Sequence, residues 1–450
     1  MLPPTPRCSR TALLEVQVPG LPVNPIIYLA FGTAVPEDND NDPCHGWIFG
    51  YTAGQSDALS QVFAFATTPT GPTGNTGRPP CNDVVKDGFQ NAPNWCGLGG
   101  GIWMSGRGPA ANTVNGVTHV YFATGNGGFQ KGGLNWSESV LDFHVTPSAV
   151  GTSPADSFTP YGGRYLAPPL QDGVPYIFEA LNENDWDLSV SGILLFQDGK
   201  GNNRLLTTDK AGYGYILAQG SLGGFEAGDP GNAFSFGASQ NLCTVLAYQC
   251  DRIVSLAFYN DTLYFWPDHE RLSGVKSYNG TTALPGLGAI SSAGSTVTGT
   301  GTNFMAQIVP GDTIIAGNQK VVVTGIPGGS NTLTVKPPFN PDVTNVAFAY
   351  HGLLVNPVNS TVPHYTDTGY PGGSIVIASQ GPAPGSGIVW ALGTADGTTQ
   401  TNHGPGTLYA YDAGNLVELW SSPDPFIASS FALPTVVNGN VYIPTYDQAS

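Results

Sequence analysis

Residues 406–421 read GTLYAYDAGNLVELWS, and this stretch decides the fold. Apolar side chains alternate with small or polar ones from Gly406 to Ala413, which is the two-residue period of a β-strand. A tight turn at Gly414-Asn415 follows, and a further strand pattern runs from Leu416 to Ser421. The stretch therefore predicts two short antiparallel strands joined by a turn.

The same pattern recurs along the chain. A close copy, GWIFGYTA, spans Gly46 to Ala53, and looser copies lie at 139–145, 212–218 and 272–278. A short apolar run comes before each copy, and its central pairs are Ile27-Tyr28, Val120-Tyr121, Leu205-Leu206, Leu263-Tyr264, Val389-Trp390 and Val441-Tyr442. The shortest spacings between successive pairs are 52 and 58 residues. Repeats of this length, made of short antiparallel strands, favour a β-propeller of four-stranded blades over a β-sandwich.

The composition excludes several classes of protein. The chain has 450 residues, with 61 glycines, 38 prolines and only 10% charged residues. Coiled coils and helical bundles need far more Ala, Glu, Lys, Leu and Arg, whereas 11% aromatic residues can build a large core. A formal net charge of −17 makes nucleic acid and anionic membrane surfaces poor partners. No apolar run approaches the roughly 18 residues that predict a membrane span.

Cysteine usage points to an extracytoplasmic location, either periplasmic or secreted. Six cysteines are present, with no CxxC motif and no adjacent pair. An even number of cysteines, few lysines and an acidic surface predict export and disulfide bonds, and six free buried thiols are the alternative. The residues after Met1 show no basic segment followed by an apolar one, so no signal peptide is predicted.

One spacing departs from the repeat and predicts an insertion. Tyr264 and Trp390 are 126 residues apart, about twice the usual interval. The excess, residues 287–352, is rich in Thr, Val and Gly, which predicts a small β-barrel or sandwich within a blade loop. The predicted domains are therefore a first propeller part at 1–286, the inserted module at 287–352, and a second propeller part at 353–450. The count is about five and a half blades, and we expect a truncated propeller.

The segment around Asp412 resembles the repeat of pyrroloquinoline-quinone (PQQ) propellers. Ala410, Asp412 and Trp420 stand at the spacing of that family's docking motif, although Asn415-Leu416-Val417 replaces its Thr-Gly-Lys turn. Other segments are similar to one bacterial subgroup of PQQ-like propeller proteins: His45–Tyr51, Gly99–Ala111, Val120–Phe129, Ser157–Gly163, Asn184–Leu195, Leu222–Phe225 and the C-terminal repeat. The resemblance implies that Asp412 accepts backbone N–H bonds in its turn and that Trp420 wedges between adjacent blades.

The resemblance also suggests where a cofactor and substrate would bind. Active members of the family hold PQQ and calcium on the propeller axis and use an aspartate as the general base. Asp185 and Asp187 are the candidates for the base or a calcium ligand, with turn capping as the structural alternative. Arg107 and Lys210 would meet the carboxylates of PQQ, with a salt bridge across a blade interface as the alternative for each. Trp103 would stack on the PQQ ring, with a place in the core as its alternative. The adjacent cysteines that often lie above the quinone are absent from this sequence.

A second metal candidate lies in an acidic run. Asp38, Asp40 and Asp42 alternate like the start of a calcium loop, but Pro43 stands where such a loop needs glycine. A solvated hairpin tip is the alternative.

Two functional classes therefore compete, and a third rests on the insert alone. The first is a non-catalytic extracytoplasmic propeller that acts as an interaction scaffold for a protein or glycan, which the altered docking turn favours. The alternative is a PQQ- and calcium-dependent dehydrogenase that oxidises a small alcohol or sugar. The third is a structural adhesin, because the insert resembles small β modules of bacterial surface and phage proteins.

Overall fold

Antiparallel sheets make up the computed structural model of this chain. It describes residues 11–32, 45–53, 59–69, 99–129, 133–160, 181, 186–198, 201–225, 233–237, 255–267, 270–277, 284–302, 304, 308, 312–325, 331–351, 354–360, 373–381, 385–394, 405–424, 426–429, 431 and 433–445. Elements whose bounds lie within these residues are strands, apart from a 3-10 turn at Met104–Gly106. No helix among them is long and apolar enough to cross a membrane. The all-β prediction is confirmed.

The first three sheets are meanders of consecutive strands. The first contains β1 (Leu14–Val16), β2 (Ile26–Phe31), β3 (Trp47–Ala53) and β4 (Leu59–Ala66). The second contains β5 (Ala110–Val114), β6 (Val117–Ala123), β7 (Val140–Thr146), β8 (Ala149–Val150) and β9 (Asp156–Phe158), of which β8 and β9 both pair with β7. The third contains β10 (Leu194–Gln197), β11 (Asn203–Thr208), β12 (Tyr213–Ala218) and β13 (Ala233–Gly237).

The fourth sheet is interrupted by a separate seven-stranded sheet. It begins with β14 (Leu256–Tyr259), β15 (Thr262–Phe265) and β16 (Ser273–Ser277). The chain then forms β17 (Leu284–Pro285), β18 (Ala289–Ala293), β19 (Thr296–Thr300), β20 (Thr313–Ala316), β21 (Gln319–Gly325), β22 (Thr332–Lys336) and β23 (Ala349–His351). Strand β24 (Leu354–Asn359) returns to pair with β16 and completes four strands. These seven strands span nearly the residues expected for the insert, and they enclose a core of their own.

The last described strands form a fifth meander and a hairpin. The meander contains β25 (Ser374–Ala378), β26 (Ile388–Thr394), β27 (Pro405–Asp412), β28 (Glu418–Ser421) and β29 (Phe426–Ile427), and β28 and β29 both pair with β27. The hairpin joins β30 (Thr435–Val437) to β31 (Asn440–Tyr442).

Three of the hairpins that join a first strand to a second share one turn chemistry. Their two-residue loops are Asn115-Gly116, Asn260-Asp261 and Asn438-Gly439, and all six residues have positive φ. Asparagine, aspartate and glycine tolerate that backbone region best, and two such residues in succession match the twist of the flanking strands. The repeated turn is therefore a local signal for the repeated sheet.

Apolar cores lie between successive sheets. Alternate residues of β2, namely Ile26, Tyr28 and Ala30, are buried on one face. One core extends over the first three sheets, a second joins the third sheet to the fourth, and a third joins the fourth to the fifth. First strands also meet in chain order, because β1 contacts β5, β5 contacts β10, β10 contacts β14 and β14 contacts β25. The sheets therefore follow one another in space as they do in sequence.

Trp266, rather than Trp420, is the tryptophan that wedges between two sheets. Its ring is 1% exposed after β15, and a Cβ atom built on Gly373 would lie 2.2 Å from that ring. Only glycine leaves room for the indole there. Trp420 is 46% exposed and meets Trp390 edge-on at 6.2 Å within its own sheet. Among the described residues, Trp420 therefore does not lie between two sheets.

The two tryptophans should therefore differ in their contribution to stability. Trp266→Ala should lower the free energy of unfolding by about 3–5 kcal/mol, as truncation of a buried aromatic side chain does. Trp420→Ala should cost about 1 kcal/mol or less, because much of its surface already meets water. Chemical denaturation of both variants beside the wild type measures the difference, and equal losses would contradict the assignment.

Candidate functional site

Loops at one end of the second and third sheets hold most of the described candidate residues. Segment 99–107 precedes β5, segment 124–128 follows β6, segment 186–192 precedes β10, and segment 209–212 follows β11. Backbone hydrogen bonds join them directly. The N–H of Gly125 donates to Gly101 O at 2.8 Å, and the N–H of Met104 donates to Ser189 O at 2.7 Å. Four sequence-distant loops therefore form one hydrogen-bonded layer, which we call the loop layer.

Asp187 and Lys210 form a buried ion pair in the loop layer. Asp187 Oδ2 pairs with Lys210 Nζ, and Asp187 Oδ1 accepts the N–H of Asn126 at 2.9 Å. The Asp187 residue is 1% exposed, and the Lys210 side chain is 12% exposed. Both were expected to act on a cofactor or substrate. Here the carboxylate and the ammonium neutralise each other, so this geometry corresponds to the structural alternative for Asp187.

Two further acids surround this pair, and the sequence analysis missed both. Glu138 is fully buried, and its Oε2 accepts the N–H of Leu188 at 2.7 Å. Burial and the neighbouring Asp187 raise the pKa of Glu138 well above its usual range. Asp209 is also fully buried, and burial raises its pKa to about 7, although several hydrogen bonds oppose that shift. The raised pKa of each acid favours its protonated form, which limits the negative charge around the Lys210 ammonium.

Arg107 differs from Lys210 because no carboxylate among the described residues pairs with it. It lies just before β5, and a terminal nitrogen reaches Ile375 O of β25 in the fifth sheet at 3.5 Å. Its buried Nε has no hydrogen-bond partner in the described part of the chain, while the residue as a whole is only partly buried. Burial lowers the pKa of the guanidinium to about 10, which still leaves it charged at neutral pH.

Trp103 packs against the first sheet. A Cβ atom on Gly32 would lie 2.2 Å from its ring, so the indole covers the glycine closely. Part of the indole ring is therefore in contact with Gly32, which agrees with the core alternative for Trp103.

The docking motif residues lie on β27, its turn and β28. Asp412 Oδ1 accepts the N–H groups of Gly414 at 2.8 Å and Asn415 at 3.1 Å, and Ala410 is 3% exposed opposite Trp420. Asp38, Asp40, Asp42 and Asp185 lie outside the described residues, as do all six cysteines.

A second polar cluster lies on the second sheet and was also missed. His119 Nδ1 is 2.7 Å from Asp142 Oδ2, and His144 Nε2 is 3.3 Å from the same oxygen. A sequence signal exists, because Asp142 and His144 stand two residues apart on a strand and therefore share one face. This His–Asp–His cluster lies at the end of β6 and β7 opposite to the loop layer.

Comparison with known proteins identifies no family for this chain. No family model matches it, and no curated protein does. Among solved structures, it is similar over 86% of its length to 79% of a Bacteroides ovatus protein provisionally described as a hydrolase, with 9% identity and a TM-score of 0.25. It is also similar over 93% of its length to 90% of an exo-β-1,3-galactanase from Phanerochaete chrysosporium, with 12% identity and a TM-score of 0.26. Scores this low establish neither a shared fold nor a shared activity.

Asp209 should make stability depend on pH. Because its pKa rises from 3.8 unfolded to about 7 folded, the folded state binds more protons between these values. Its contribution is fully present below about pH 4 and is lost as pH rises through about 7. Asp209→Asn keeps a neutral side chain that can accept from Ala211 N and Tyr213 N, at 2.9 and 3.0 Å in the wild type.

The variant should therefore match the wild type near pH 3.5 and exceed its stability by a few kcal/mol near pH 8. Denaturant unfolding at both pH values measures the difference. If the free energies of unfolding of the two proteins changed with pH in parallel, Asp209 would be ionised in the folded state.

Proposed function

We propose that this chain is an extracytoplasmic β-propeller that binds a protein or glycan without catalysis, through a carboxylate held by Arg107. The lack of a counter-charge for the Arg107 guanidinium among the described residues is the observation that carries the proposal. A partly desolvated charge without an opposite charge costs folding free energy, and a ligand carboxylate would offset that cost through paired N–H···O bonds. The acidic composition and the six cysteines support the extracytoplasmic location.

The order of the sheets supports the propeller. Each of five meanders supplies four strand positions, and the first strand of each contacts the first strand of the next. Sheets stacked in this way around an axis place their first strands nearest to it. Arg107 precedes one such strand and reaches β25, another. The guanidinium would therefore stand near the axis, where loops from several blades converge.

The dehydrogenase alternative has less support among the described residues. Calcium takes six to eight oxygen ligands, and a general base needs a free carboxylate. Asp187 has one oxygen on Lys210 and the other on Asn126 N, and Lys210 is likewise engaged. These residues do not fit a calcium-bound quinone and its base, so we derive no oxidation step.

Carboxylate binding should depend on Arg107. Titration calorimetry would use galacturonate oligomers, a glutamate-rich peptide, and PQQ with and without calcium. We expect one carboxylated probe to bind saturably and Arg107→Gln to weaken it by about 10-fold or more, the scale of a lost charge-assisted hydrogen bond. Arg271→Gln, which removes the same charge beside β16, is the matched control and should bind as the wild type does.

Replacement of Arg107 by an apolar residue should not destabilise the protein. Arg107→Met keeps an apolar stem and removes a desolvated charge, so its midpoint of thermal unfolding should equal or exceed that of the wild type. A lower midpoint, together with unchanged binding by Arg107→Gln, would make the arginine structural. Calcium-dependent PQQ binding followed by dye-linked alcohol oxidation would instead favour the dehydrogenase.

A further inference from the structure

We propose that His119, Asp142 and His144 form a binding site for a divalent transition-metal ion of the Zn²⁺ type. The site lies on the face of the second sheet, near the Asn115-Gly116 turn. It is separate from Arg107, which precedes β5 at the opposite end of the second sheet. The metal proposal therefore stands or falls independently of the carboxylate proposal.

The backbone already brings the three ligands together. His119 on β6 pairs directly with His144 on β7, and Asp142 shares the face of His144 two residues earlier. Directly opposed residues of antiparallel strands have Cβ atoms about 4.5–5.5 Å apart, within reach of a shared ion. The two imidazole rings have centroids 4.5 Å apart at 76°. One ligand atom from each of the three residues lies within 4.8 Å of the other two.

The separations are close to those of a coordinated ion. With bonds of about 2.0–2.1 Å, the ligand atoms of tetrahedral zinc stand about 3.3 Å apart. His144 Nε2 already lies 3.3 Å from Asp142 Oδ2. His119 Nδ1, at 2.7 Å, would move outward by about 0.6 Å to exchange its hydrogen bond for a shared metal.

An acceptor oxygen in the cluster that has no hydrogen-bond partner among the described residues supports the binding of a cation. Asp142 is fully buried, and its Oδ1 has no hydrogen-bond partner in the described structure, while Oδ2 serves both histidines. A buried carboxylate oxygen without a partner is costly. A metal bound by this carboxylate would compensate it, either through both oxygens or through a bound water.

The site combines a buried anchor with an open side. Asp142 and His119 are buried, whereas the side chain of His144 is 38% exposed. An ion can therefore enter beside His144, the ligand that meets solvent. Three protein ligands with one open position are typical of sites that bind an exchangeable water.

The donor set selects the class of metal. Two imidazoles and one carboxylate suit Zn²⁺, Co²⁺, Ni²⁺, Cu²⁺ and Fe²⁺, whereas calcium and magnesium prefer oxygen ligands throughout. A second carboxylate adds negative charge nearby, because Asp156 pairs with Asp142 across β7 and β9 and acts electrostatically on both His119 and Asp142. Asp156 Oδ2 accepts the N–H of Leu222 at 2.6 Å, which fixes its position.

Cobalt titration of the full chain tests the site after metal removal with a chelator. We expect one Co²⁺ per chain at micromolar affinity or tighter, with visible bands of a tetrahedral or five-coordinate site. Thiolate-to-metal charge transfer should be absent, which separates this site from the six cysteines. Zn²⁺ should displace the cobalt, excess Ca²⁺ should not, and Zn²⁺ should raise the midpoint of thermal unfolding.

His144→Gln is the main variant, because its partly exposed side chain can change without disturbing the core. Removal of a residue that hydrogen-bonds to a metal ligand weakens metal binding about 10–100-fold. Removal of a ligand itself should therefore weaken metal binding by at least as much. Asp142→Asn should do the same, and His45→Gln on the first sheet is the matched control. Failure to bind cobalt, or variants that bind within about twofold of the wild type, would overturn the proposal.

Discussion

The architecture depends on one constraint: a four-stranded sheet with apolar side chains on both faces is not stable alone in water. In the second sheet, Val120, Tyr121, Phe122 and Ala123 are all fully buried, although successive residues point to opposite faces. Each sheet must therefore be covered on two sides. The cores that join successive sheets meet this need, and so does the indole of Trp266 between the fourth and fifth sheets.

Placing sheets face to face also brings irregular loops out of water at their ends. Backbone N–H and C=O groups beyond the ends of the strands then need hydrogen-bond partners. In the loop layer, these partners come from the loops of neighbouring sheets and from side chains. Asp187 and Glu138 accept backbone N–H groups there, and the Lys210 ammonium pairs with Asp187. Arg107 is at the margin of this layer and lacks such a counter-charge in the described structure.

Strand positions could be predicted from the sequence because alternation and turn residues are local signals. The strand predicted from Gly406 to Ala413 nearly coincides with β27. The turn predicted after it is where Gly414 and Asn415 donate N–H groups to Asp412. Contacts between side chains of different sheets could not be predicted, because they depend on which faces of the sheets pack together. Thus Trp420 and Trp266 were not distinguishable in advance. A salt bridge across a blade interface was an alternative for Lys210, but its partner Asp187 could not be named. Glu138 carries no motif, whereas the alternation of Asp142 and His144 was a readable signal.

The insertion within the fourth sheet has a consequence for the order of folding. Strands β16 and β24 are neighbours in the sheet, yet the whole inserted sheet separates them along the chain. Closing a loop of that length costs conformational entropy before any pairing can repay it. The insert has its own core, and its ends are held together because Leu284 pairs with Tyr350. If the insert folds first, it brings the ends of β16 and β24 close together and shortens the loop that must be closed. Strand β24 can then pair with β16 as a local step of folding.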